Sequence, residues 1–199
     1  MSTPEDPGSR APSTDARAVR TRARLIEAYL EITATGHVPK VSTVIRAARV
    51  NRSSFYAHFD DMDDMTLRVL DDALDDLSRT QAELSARAQR PTGLTALAAG
   101  GAYLDALGAN RSSLRSAITA NRAQAQARIG DTIERNMLEF LAITPGWDSG
   151  SARSQLTASW VAHGWAGVVC AWIAGEIEID RDSLLQELVA LNPRVPAQD

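Results

Sequence analysis

The apolar residues of this chain recur every three or four positions, and no sustained stretch alternates apolar and polar residues in steps of two. A helix brings residues three and four apart onto one face, whereas a half-buried strand needs every second residue on the same side. Ala, Leu, Arg, Glu and Gln fill the long segments and no Asn-Gly hairpin turn occurs, so the pattern confines the chain to helices. A first helix is expected from about Thr14 to Thr35, burying Leu25, Ile26, Tyr29, Leu30 and Ile32 and stopping at Gly36. Two short helices follow, Val41 to Arg49 and Arg52 to His58. From Met62 a longer helix carries Leu67, Leu70, Leu74, Leu77 and Leu84 as an apolar seam that needs a partner. Pro91 with Gly93, and Gly108 to Arg111, punctuate the next stretch into helices near 94–107, 111–119 and 121–143. Thr144 to Gly150 reads as a loop, and a final helix runs from about Asp182 to Asn192. About nine helices result.

The segment Leu156 to Gly175 is the most apolar in the chain and long enough to raise a membrane span. It is single, contains His163 and several glycines, and lacks a basic flank near its start, which favours a buried helix and no membrane. Read in fours it gives Ala158, Ala162, Ala166, Cys170 and Ala174 beside Ser159, His163, Gly167, Ala171 and Gly175. Such small rows admit a second helix at close range, while Trp160, Trp165, Val168, Val169, Trp172 and Ile173 are expected to fill space on the other side. The close contact lies either between subunits or inside one chain. His163 in these surroundings reads first as a hydrogen-bonded core histidine.

Charge is divided unevenly. The formal total of −4 conceals nine Lys/Arg against six Asp/Glu in residues 1–60, leaving +3, and twelve against nineteen in residues 61–199, leaving −7. Only the N-terminal third therefore suits a polyanion. Arg17, Arg20 and Arg24 share one stripe of the first helix, where they can meet a phosphate backbone. Cys170 is the sole cysteine, so an intramolecular disulfide and a multi-cysteine zinc site are both excluded, as expected of a reducing cytoplasm. Met1 to Ala16 carries Pro4, Pro7 and Pro12 with no apolar run, and residues 1–13 read as a disordered arm.

The chemistry concentrates in residues 41–59. Val44, Ala48, Val50, Phe55 and Phe59 are spaced to form the inner faces of two short helices across a tight turn, with Asn51 suited to cap the second. With Phe55 and Phe59 turned inward, Arg52, Ser53, Tyr56 and His58 face elsewhere, and these side chains suit a major groove. The run Val50-Asn-Arg-Ser-Ser-Phe-Tyr-Ala-His-Phe59, with an acidic turn and a Leu-rich helix after it, resembles the recognition-helix signature of TetR-family regulators, and the matched spacing covers about residues 17–75.

The resemblance implies an all-α fold: an N-terminal three-helix DNA-binding domain with a helix-turn-helix (residues 14–61), then an antiparallel helical bundle for effector binding and dimerisation (62–199). It implies DNA contacts from Arg52, Ser53, Ser54, Tyr56 and His58, with phosphate support from Lys40, Ser42, Thr43 and Arg46 and from Arg17 on the first helix. It further implies a homodimer on a near-palindromic operator, and a small apolar or amphipathic effector lined by Tyr103, Leu107, Met137, Phe140, Trp160 and His163. Three departures stand out: Arg49 where the family has glycine, Lys40 where it has Ser or Thr, and Asp60 to Asp64 where a lysine is common. The acidic residues from Asp60 to Asp76 number enough to suggest a metal, but they read as helix N-terminal charges and a solvated face. No catalytic motif and no cofactor loop is present, so a non-enzyme without cofactor is expected. The rival readings are a dimeric regulator that needs no ligand, and a helical enzyme or lipid carrier that does not use the helix-turn-helix.

Overall fold

The computed structural model describes residues 14–87, 93–109 and 111–192, and every element among them is a helix. The arm before Thr14, the Pro91 boundary and the Leu84 side chain lie outside the described residues. The chain divides into two compact units, the first closing at Met62.

In the first unit, α1 (Thr14–Ala34) packs on α2 (Val41–Ala48), and α2 on α3 (Arg52–Tyr56). Leu25, Ala28 and Tyr29 of α1, Val44 and Ala48 of α2, and Phe55 and Phe59 are buried. Ile26 and Ile32 are half-buried, and Leu30 is exposed, because one residue past Tyr29 the helix has turned by about 100°. Gly36 ends α1 in a left-handed conformation, φ 77°.

The second unit contains α4 (Met62–Arg87), α5 (Gly93–Ala109), α6 (Arg111–Ala142), α7 (Ala152–Ala174) and α8 (Arg181–Leu191). The leucine seam of α4 finds its partner here: Leu67, Leu70, Leu74 and Leu77 join Leu104, Leu107, Leu114, Ile129, Val169 and Leu188 in one core. A Cβ on Gly100 would come within 2.9 Å of Trp165 and 3.1 Å of Leu185, so glycine is what lets α5 lie this close to α7 and α8. The helices α6 and α7 run antiparallel. Near the start of α6, Arg111 and Arg115 donate to Trp172 O and Ala174 O at the end of α7, while farther along Gly130 meets His163 and Ala166.

The region from Arg111 to Ala142 consists of two helical pieces that meet at a kink at Asn121 (φ −153°, ψ 87°), where the spacing divides it into 111–119 and 121–143; counted as the single element α6 it makes eight helices among the described residues. One expectation needs correction. Trp160 does not fill the interior: it is 59% exposed, with Leu156 at 72% one turn earlier. The row Ala158, Ala162, Ala166 and Cys170 is fully buried, which settles that row as an intrachain contact. Its neighbour, Ser159, His163, Gly167 and Ala171, stays partly or fully open. By length and composition α7 would pass for a membrane span, yet over half of its most apolar stretch is buried within its own unit.

Candidate nucleic-acid interface

The site is built around the turn that joins α2 to α3. Lys40 stands at the N-terminal boundary of α2 and its side chain does not cap; instead the Thr43 hydroxyl accepts from Lys40 N–H (3.0 Å) and donates to Lys40 O (2.8 Å). Lys40 in place of Ser or Thr brings no capping side chain, the residue three places on closes the helix start instead, and the lysine is left exposed. At the other end, Arg49 N–H bonds Arg46 O and Val50 N–H bonds Ile45 O, a closed helix end that places Arg49 in the left-handed region at φ 53°, ψ 46°.

Asn51 then begins α3. Its side-chain oxygen accepts from Ser54 N–H at 2.8 Å and from the Ser53 hydroxyl at 2.8 Å, fixing the first turn of a helix too short to hold itself. Phe55 N–H to Asn51 O and Phe59 N–H to Phe55 O carry the helical path to Phe59. Phe55 and Phe59 are buried, their ring centroids 5.6 Å apart, and anchor the rod from within. Opposite them Arg52, Ser53 and Tyr56 are exposed, and Ser54 and His58 half-buried. The Arg52 guanidinium lies 5.6 Å from the Tyr56 ring centroid and donates to its hydroxyl at 3.3 Å, so the two present one ordered polar edge.

Arg17, Ser42 and Arg46 are exposed, and Thr43 is half-buried and engaged in its cap. The ten nucleic-acid candidates thus all fall in the first unit. Arg24, which shares the α1 stripe with Arg17 and Arg20, reaches Arg49 O with its Nη2 at 3.4 Å; the stripe was visible in the sequence, but this contact spans 25 residues and has no local signal.

The six effector candidates are divided. Tyr103 and Leu107 are buried in the core of the second unit, Met137 packs against it, and Phe140 is half-buried. Trp160 and His163 stand on the exposed face of α7, where His163 Nδ1 meets Ser159 O at 2.9 Å and lies 3.9 Å from Glu134. His163 is therefore a surface residue and not the core histidine expected. The Tyr103 hydroxyl is buried with no hydrogen-bond partner among the described residues, and burial pushes its ionisation far above the ordinary phenol range. A recess between α4 and α6, lined by Thr66, Val69, Leu70, Ala73, Ser113 and Leu114, has room for about one water molecule. Asp64, Asp71 and Asp76 pair with Arg68, Arg128 and Arg79.

No family model and no curated protein matches the chain. Solved structures do. The fatty acid degradation regulator FadR from Bacillus halodurans superposes with a TM-score of 0.60 at 13% identity, covering 92% of this chain and 96% of its own. A transcriptional regulator from Aquifex aeolicus VF5 gives 0.58 at 13%, covering 85% and 96%. The transcriptional repressor QsdR of R. erythropolis, from the TetR family, gives 0.55 at 14%, covering 92% and 100%.

Proposed function

This chain has the fold of TetR-family regulators, and we propose that it is a sequence-specific DNA-binding regulator of transcription rather than an enzyme. The observation that carries this reading is the two-sided character of α3: Phe55 and Phe59 are buried while Arg52, Ser53 and Tyr56 face solvent. A helix held in this way has side chains for base edges and phosphates on its free side. Residues 14–61 serve DNA and residues 62–199 serve dimerisation and effector binding.

The reading includes a cytoplasmic homodimer on a near-palindromic operator, with recognition helices roughly 34–36 Å apart. The open face of α7 supports the dimer. Leu156 and Trp160 project beside a hollow at Gly164, where a Cβ would meet nothing within 4 Å. A bump and a hollow on one helix face are what a two-fold contact with a second copy requires. Trp160 and His163 accordingly belong to this contact and not to an effector chamber. Release from DNA by a small apolar or amphipathic effector is supported by Tyr103, whose unpartnered hydroxyl among leucines suits a molecule with one hydrogen-bonding group. Tyr103, Leu107 and Met137 remain its lining.

Selection from a pool of random duplexes tests the reading. Purified protein should enrich an inverted repeat with half-sites about one helical turn apart; a pool that stays random after repeated rounds overturns it.

A further inference from the structure

We propose that the turn between α2 and α3 is itself a phosphate-binding element, in which Arg24 and Arg49 grip the backbone of the duplex beside the recognition helix. This rests on the DNA-binding reading above, adds Arg49 to it and gives Arg24 of the α1 stripe a defined place.

Arg49 occupies a conformation that disfavours any Cβ, and it is the only non-glycine residue at positive φ among the described residues. The α7 end is closed by the same two bonds, Gly175 N–H to Trp172 O and Glu176 N–H to Ala171 O, and uses glycine at φ 84°. The backbone of the α2 turn thus asks for nothing that arginine provides better than glycine. What arginine adds is an exposed guanidinium.

That guanidinium has company. Arg24 reaches the turn from α1 through its contact with Arg49 O, Arg46 lies on the last turn of α2, and Arg52 opens α3. Among the described residues none of these four has a carboxylate partner, whereas Arg68, Arg122, Arg128 and Arg181 each pair with an Asp or Glu. Four unneutralised cations around one turn repel each other unless an anion joins them. A duplex carries one negative charge per about 1.7 Å of axis, and the guanidinium fork fits a phosphate with two parallel bonds. Arg24 uses one N–H on the turn carbonyl, which holds the side chain in place and leaves its other donors for phosphate.

The test uses the full chain, the duplex it selects and an unrelated duplex of equal length, with affinity measured from 50 to 200 mM salt. Arg24→Gln and Arg49→Gly should each flatten the log–log salt slope by about 0.9, and the double variant by about 1.8. Affinity should fall in the same proportion for both duplexes, leaving their ratio unchanged, while Arg49→Lys retains the slope. The Arg49→Gly chain should melt no lower than the parent, which removes misfolding as a cause. A double variant with the parental slope overturns the inference, as does a loss confined to the selected duplex, which would make the two arginines base readers. If the parent binds no duplex, it is the regulator reading that fails.

Discussion

Asn51 and Arg49 act in opposite senses on the same turn. Asn51 satisfies the free Ser54 N–H, and Asn51→Ala should cost about 1 kcal/mol in urea unfolding. Arg49→Gly should gain about 1 kcal/mol in the same experiment by relieving the left-handed side chain. Cys170 is fully buried, and burial pushes its thiol up to about 11. Unfolded, that thiol ionises near its ordinary value of 9.0, so above it the unfolded state holds fewer protons and the contribution to stability falls as pH rises. Alkylation of Cys170 at pH 8 should accordingly follow global unfolding and be negligible before it. At this scale the Asn51 cap and the two phenylalanine anchors were legible, since each depends on spacing within one helical turn. Trp160 was not: its side of α7 carries glycines and alanines as small as those of the buried row, and sequence alone does not tell which row faces inward.

The helices themselves were legible from their periodicity, and their ends less so. In α6 the break was legible too: the Asn121 side-chain oxygen accepts from Gln124 N–H at 3.1 Å, a helix start at the kink, and the non-helical backbone of Asn121 divides the segment into two pieces. The end of α7 depends on Gly175, where a Cβ would lie 2.8 Å from Arg115 Nη2. Gly175→Ala should therefore destabilise the chain by about 1 kcal/mol or more, measured by thermal unfolding, through the positive φ and through displacement of Arg115 from Ala174 O. At the start of α8 the Ser183 hydroxyl, then the Ser183 and Asp182 N–H groups, donate to Asp180 and hold its carboxyl below the usual carboxylate range. A lowered carboxylate stabilises the folded state above its unfolded pKa and loses that contribution as pH falls through the folded one. Protection of the first-turn amides of α8 against exchange, relative to their intrinsic rates, should fall in acid, and Asp180→Ala should remove that pH dependence.

For the whole molecule, the all-helical fold class could be read because helical spacing runs through every long segment, and the two-sided α2–α3 segment because it is local and compact. Helical spacing does not separate core-facing from ligand-facing apolar residues: Trp160 and His163 fell on the surface while Tyr103 and Leu107 fell in the core. The proposed dimer also belongs to this scale. Leu156→Glu with Trp160→Glu should leave helicity intact, since both side chains are exposed, and convert the protein to a monomer by light scattering. A charged pair placed at a desolvated two-fold contact has no neutralising partner there.

Arg52 and Tyr56 stand on the solvent-facing side of α3, opposite its buried phenylalanines, so the binding of an Arg52→Ala/Tyr56→Ala chain to the selected duplex is the decisive quantity. At about 1–3 kcal/mol for a good base contact, specific affinity should drop at least tenfold and approach that for an unrelated duplex, with helical content and subunit number unchanged. Undiminished specific binding by this variant would mean that α3 does not read DNA.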